Sequence, residues 1–140
     1  MNQRKFILLF ILLLANTFLF AQQKEDQIQI DLSKCLESKE GSTTAGMCNC
    51  TYDALDKWDK KLNVVYKNLL SKVDSTARQK LIDAQRKWIA FKESEISLID
   101  ATYSKKEGTM WLIVRAEKVM DITKDRTLAL EAILWALDEN

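Results

Sequence analysis

Histidine and proline are both absent from this 140-residue chain, and glycine occurs only three times. Without histidine, the commonest general base and a preferred metal ligand are gone. Without proline, and with so little glycine, few residues interrupt a helix, so long helices can run unbroken. An excess of one charge is lacking too, since 21 basic residues face 20 acidic ones for a net charge of +1. That balance excludes a nucleic-acid binder held by its own electrostatic field. What remains is 47% hydrophobic and 29% charged, which suits one globular domain without internal repeats or low-complexity stretches.

The first 21 residues are of a different kind. Arg4 and Lys5 precede an unbroken apolar run, Phe6–Leu14, which Ala15–Phe20 extends; Ala21 then stands before the polar Gln22-Gln23-Lys24-Glu25-Asp26. This order predicts a secretory signal peptide over residues 1–21, cleaved after Ala21, followed by a single helical domain over 22–140. The rival is an uncleaved membrane anchor, but the run is about 15 residues, short of the roughly 20 that a spanning helix needs. No cysteine stands directly after Ala21, which argues against a lipid-modified N-terminus. Without Arg4 and Lys5 the exported chain has 19 basic and 20 acidic residues, a net charge of −1, and no membrane span. Its expected place is the periplasm or the medium outside.

Export gives the three cysteines, Cys35, Cys48 and Cys50, an oxidising setting in which one must be left over. A Cys48–Cys50 bridge would close too tight a ring. Cys35 paired with either Cys48 or Cys50 closes a short loop, worth about 3 kcal/mol in the chain-entropy model. A metal site on the three cysteines lacks a fourth ligand of the usual kind nearby, so no metal or cofactor is expected. Asn49-Cys50-Thr51 fits the glycosylation acceptor pattern, which matters only in a eukaryotic secretory pathway.

Apolar periodicity predicts an all-α chain. Ile28, Ile30, Leu32, Cys35 and Leu36 mark a short first helix, capped by Asp31 or Ser33 and running to about Lys39. Glu40-Gly41-Ser42-Thr43-Thr44 is a turn. Met47, Thr51, Leu55, Trp58, Leu62, Val65, Tyr66, Leu69 and Val73 form the core-facing stripe of a second helix, from Thr44 to about Lys72. Asp74 or Ser75 caps a third, Thr76 to Ser104, whose stripe is Leu81, Ala84, Trp88, Phe91 and Leu98, widened by Ile82, Ile89, Ile96, Ile99 and Tyr103. Gly108 ends the next turn in a C-cap role. Thr109 caps a fourth helix to about Leu137, with Leu112, Ala116, Val119, Met120, Thr123, Leu130, Ile133, Leu134 and Leu137 facing inward. Each long helix spans roughly 45 Å. Short connections make neighbours antiparallel, giving an up-down bundle of three long helices with the short first helix pinned across it by a disulfide.

Hairpin register then places unusual residues together. A turn near residue 74 sets Asn63 level with Gln85, and one near 107 sets Arg126 level with Trp88. Asn63, Tyr66, Gln85, Trp88 and Arg126 are thus candidates for a polar layer that fixes register, or for a pocket. Arg126 over the Trp88 indole would contribute about 0.5–2 kcal/mol. Glu95 shares the stripe with Trp88 and, if buried, needs a cation such as Arg115 or Lys118. Alone, it makes no case for catalysis, and no nucleophile–base pair is visible. Trp58 and Trp88 read as core. Trp111 and Trp135 lie near the ends of the fourth helix, where exposure would favour partner contact.

Taken in order, Cys35-Leu36, Thr43-Thr44-Ala45-Gly46-Met47, Cys50, Trp58-Asp59, Leu62-Asn63, Tyr66, Leu81, Ala84-Gln85-Arg86, Trp88, Gly108-Thr109, Arg126 and Leu130 resemble the LprI-type lysozyme inhibitor family. The resemblance covers nearly all of 22–140. Its most specific part is the Leu-Asn-x-x-Tyr and Ala-Gln-Arg-x-Trp pair followed by the late arginine. It implies a small exported bacterial protein, a Cys35–Cys50 bridge with Cys48 as the extra thiol, and lysozyme as partner. Where members often carry an Arg-Asp pair after the tryptophan, Lys92-Glu93 keeps the charge signs but not the bidentate geometry. Further cysteines seen later in some relatives are absent.

Two non-enzymatic functions follow. One is a lysozyme inhibitor acting by protein–protein contact, for which the Lys105–Thr109 turn, with Lys105 and Lys106 facing cleft carboxylates, is the insertion candidate. The other is an envelope-associated helical module that binds a different protein through its long helices, Trp111 or Trp135 included.

Overall fold

The computed structural model describes residues 26–139. The expected signal peptide and its cleavage position lie outside them. Four helices account for nearly all of the described chain: α1 (Gln27–Glu37), α2 (Thr44–Lys72), α3 (Ser75–Tyr103) and α4 (Met110–Asp138), with a short 3-10 turn at Glu40–Ser42. Each of the three long helices has 29 residues.

Local chemistry sets most of these ends. The Thr43 hydroxyl accepts from the Gly46 N–H at 3.0 Å and starts α2; the Asp74 carboxylate accepts from Ala77 N–H at 2.8 Å and starts α3. At α1 the cap is Asp26, which accepts from the Ile28 N–H at 2.9 Å, rather than Asp31 or Ser33. An earlier capping carboxylate wins because nothing between it and Ile28 opposes the helix. Asp31 instead lies within α1, where it accepts from Gln27 and pairs with Lys57. Thr109 does not cap α4 through its side chain; its hydroxyl meets that of Thr44 at 3.3 Å. Ser104, not Gly108, is the C-cap of α3, and Gly108 takes a positive φ of 94° in the turn that follows.

Two core clusters form where α2 meets α4. Leu32, Cys50, Ala54, Trp58 and Met120 make the first, with Ile28, Cys35, Leu36 and Leu55 around it. Leu62, Val65, Leu69 and Leu130 make the second, flanked by Tyr66, Leu81, Trp88 and Leu134. Cross-helix pairs advance together along α2 and α4: Thr44 with Thr109, Tyr52 with Arg115, Lys61 with Glu131, Lys72 with Asp138. These two helices therefore run the same way. The pairs Tyr103–Trp111, Asp100–Arg115 and Gln85–Arg126 show that α3 runs back against α4. Cys35 is bridged to Cys50, fastening α1 to α2 across a 15-residue separation, and Cys48 is the free thiol. Such a bridge fits an oxidising compartment.

One expectation fails plainly. The α3 stripe meets the core only at Leu81 and Trp88, and no residue of α3 is fully buried. Ile89, Phe91 and Leu98 are about half exposed. The reason is that α2 and α4 already cover each other's apolar faces, leaving α3 only the flank, which it touches through Leu81 and Trp88. Leu112, Ile133 and Leu137 of α4 also lie exposed, because the buried face of α4 is the Ala116, Val119, Met120, Thr123, Thr127, Leu130 line.

Docking of α1 has a pH signature. Burial alone would raise the Asp26 carboxyl, but the Lys61 ammonium and the Ile28 N–H hold it below its ordinary value. Lys61 also pairs with Glu131 at 2.9 Å, linking α1, α2 and α4. A depressed carboxyl stabilises the fold fully above its unfolded pKa, and that contribution is lost as pH falls through the folded value. The urea midpoint should therefore fall as pH drops below the ordinary carboxylate value, with the Asp26–Lys61 pair contributing to the loss. In Asp26→Asn, which keeps a capping oxygen, this share of the acid loss should vanish; an unchanged acid limb would assign it to other carboxylates.

Candidate functional site

Mid-way along the bundle, α3 crosses α4 at a clamp of three side chains. Arg126 donates from both Nε and Nη2 to Gln85 Oε1, each at 3.1 Å. Its guanidinium carbon stands 6.0 Å from the centre of the Trp88 ring, and Lys92 Nζ stands 5.4 Å from the same ring. Burial lowers the Arg126 pKa, with Tyr66 nearby acting the other way. The clamp's acceptor is a neutral amide, so among the described residues no carboxylate pairs with Arg126.

Two grooves flank α3 here. Between α3 and α4 lies one of about 520 Å³, lined by Trp88, Phe91, Glu95, Ile99, Lys118 and Asp125 among others. Between α2 and α3 lies one of about 330 Å³, lined by Leu62, Asn63, Gln85, Trp88, Ile89 and Ile96 among others. Trp88 is common to both. Phe91 and Ile89 project from opposite sides of it, so α3 presents apolar surface along each rim.

The expected polar layer is smaller than the register implied. Gln85, Trp88 and Arg126 come together, and Tyr66 packs beside the second core cluster. Asn63 is level with Gln85 but does not join it, because its amide donates to the Asp59 carbonyl at 2.8 Å and carboxylate at 3.2 Å, one turn back on α2. Glu95 is half-buried in the groove, and no described residue makes an ion pair with it. Arg115, one of its expected partners, instead donates to Asp100 at 2.6 Å and to the Tyr52 hydroxyl at 2.7 Å, tying α2, α3 and α4 together at the other end. The Asp100 hydrogen bond raises the Arg115 pKa. That triad was missed in the sequence, although the turn near 107 sets Asp100 level with Arg115.

The turn between α3 and α4 is less free than its composition suggests. Tyr103 stacks on Trp111 with ring centres 5.6 Å apart, and Lys106 Nζ sits 5.4 Å from the Trp111 ring. Lys105 is exposed. Trp135 is 66% exposed at the far end of α4. Among the described residues no cluster of His, Cys, Asp and Glu could hold a metal ion, and no helix is long and apolar enough to cross a membrane.

A family model described as "Lysozyme inhibitor LprI" matches residues 22–130. The chain belongs to the LprI lysozyme inhibitor family. No curated protein matches it. A crystal structure of an uncharacterized protein from Burkholderia thailandensis is similar, with a TM-score of 0.77 and 28% sequence identity over 84% of this chain. This LprI-family chain spans only 56% of that protein's length.

Proposed function

We propose that this LprI-family protein is an exported, non-catalytic module that inhibits a lysozyme by direct contact, using the uncovered face of α3 and the groove it forms with α4. The observation that carries this reading is a 29-residue helix with no buried residue, on which Phe91 is 52% and Leu98 59% exposed. Large apolar side chains left exposed together on one helix favour contact with a partner. The groove also holds unpaired charges of both signs, Glu95 and Asp125 beside Lys118 and Arg126, against which charges on a partner can be matched. Complementary charge of this kind raises the association rate and selects partners more than it adds affinity. Compared with this surface, the Lys105–Thr109 turn is a weaker candidate, since Lys106 already lies against Trp111.

The test is titration of the purified protein into several lysozyme classes, following cell-wall lysis and binding heat together. Stoichiometric inhibition of at least one class is the expected result. A folded protein that binds none of them overturns the inhibitor assignment. The second reading, an envelope module for another protein partner, is favoured by Trp135 with Ile133 and Leu137, which expose apolar surface at the C-terminal end of α4.

A further inference from the structure

Along the α4 side of α3, Lys80, Ala84, Lys87, Phe91, Glu95, Leu98 and Thr102 share one face. At 3.6 residues per turn they fall within an arc of about 80°. All are exposed except Glu95, which is half-buried. Their spacing is 4, 3, 4 up to Phe91 and 4, 3, 4 beyond it, so the face reads the same in both directions. We propose that it pairs with a second copy of this chain, α3 against α3 running oppositely, with the two-fold axis at Phe91. The dimer does not rest on the lysozyme reading, but it covers the face that reading uses, so a bound lysozyme and a second copy exclude each other.

Self-complementarity carries the assignment. A two-fold contact requires that where residue i of one copy meets j of the other, j also meets i. Reversal about Phe91 sets Lys87 opposite Glu95, Ala84 opposite Leu98, Lys80 opposite Thr102, and Phe91 on itself. The Lys87–Glu95 pair then forms twice, and within one copy neither residue has an ion-pair partner among the described residues. Leu98, 59% exposed, meets the small Ala84, beside which Leu81 and Ile133 line an open apolar depression. The Thr102 hydroxyl donates to the Leu98 carbonyl at 2.8 Å, which leaves its lone pairs to accept from the Lys80 ammonium. Charge along the whole helix agrees. Arg78, Lys80, Arg86 and Lys87 outweigh Asp83 before Phe91, and Glu93, Glu95 and Asp100 outweigh Lys92 after it, so opposed copies lay a basic half on an acidic one. A parallel pair would set Lys87 on Lys87 and Glu95 on Glu95, and such like-charge contacts are costly. A partner of another sequence gains nothing from the symmetry of the spacing.

The test is sedimentation equilibrium of the purified protein alone over roughly 1–500 µM, with Cys48→Ser in every sample so that a bridge between free thiols adds no mass. A concentration-dependent equilibrium between one and two copies is the expected result, and Phe91→Asp should stay monomeric throughout. Lys87→Glu and Glu95→Lys should each weaken the dimer about tenfold or more, since each turns two attractive pairs into two repulsive ones. Combining the two substitutions restores opposite charges and should return the dimer to within about threefold of the parent. The helical spectrum checks that each variant folds, and Leu98→Asp, at an equally exposed position, stands in for Phe91→Asp should that one fail. The proposal is overturned by a parent protein that stays monomeric at the highest concentration, by a dimer retained in the folded apolar-to-Asp variant, by a combined variant no tighter than the single ones, or by growth beyond two copies. Lysozyme is absent from every sample, so a failed dimer leaves the lysozyme assignment standing, and a failed lysozyme titration leaves the dimer standing.

Discussion

Gly46→Ala should lower stability by about 3 kcal/mol or more, although alanine in a helix ordinarily gains about 1 kcal/mol over glycine. A Cβ at Gly46 would stand 1.6 Å from the Glu40 carbonyl oxygen, a backbone atom that no side-chain rotation can move away. Either the Glu40–Ser42 turn shifts or the first turn of α2 unwinds. The turn cannot shift freely, because Gly41 is itself pressed against the Leu36 carbonyl, where a Cβ would come within 2.4 Å, and the Cys35–Cys50 bridge holds both sides. Thermal unfolding should drop by roughly 10 °C for a domain of this size. Gly108→Ala is the comparison: nothing lies within 4 Å of a Cβ there, so only the positive φ is strained, at a cost of about 1 kcal/mol. Equal melting temperatures for the Gly46 variant and the parent would disprove the close approach of turn and helix.

Trp58→Ala should cost about 3–5 kcal/mol, a large part of the stability of a small domain. Trp58 is 1% exposed and sits in the cluster that joins α1, α2 and α4; its carbonyl accepts from Thr127 at 3.4 Å, and Lys61 Nζ is 5.1 Å from its ring. Truncation would leave a large void among Leu32, Cys50, Ala54 and Met120, which the disulfide keeps from collapsing. Trp135→Ala removes a side chain of the same size from a site that is 66% exposed and should change stability by less than about 0.5 kcal/mol. Urea denaturation of both variants checks the pair. A small loss at Trp58, or a large one at Trp135, would contradict the placement of the core.

The helices and their turns were legible because the chain lacks breakers except where it needs them. Thr44 and Lys72 were expected as the ends of α2, and those are its ends. Register also carried information: two tight turns sufficed to bring Arg126 onto Trp88 and within reach of Gln85. What register cannot give is a side chain's choice among acceptors, so Asn63 went to Asp59 four residues back, a local competitor present in the sequence all along. The larger miss was α3. A 3.6-residue period establishes that a helix has an apolar face, but not that a neighbour remains to cover it. Once α2 and α4 close on each other through Leu62, Leu69 and Leu130, Phe91 and Leu98 have nothing left to bury against. The failure of that expectation is also the strongest pointer to function in the molecule.

That pointer is tested most directly by the affinity of Phe91→Asp for the lysozyme class that the parent protein inhibits. Phe91 is half exposed, so the variant should fold with an unchanged helical spectrum. A central apolar anchor is worth about 2 kcal/mol or more in an interface, so binding should weaken roughly 30-fold and inhibition with it. Full affinity in a folded Phe91→Asp, with the loss found instead in Lys105→Ala or Trp135→Ala, would contradict the account and move the contact surface off α3.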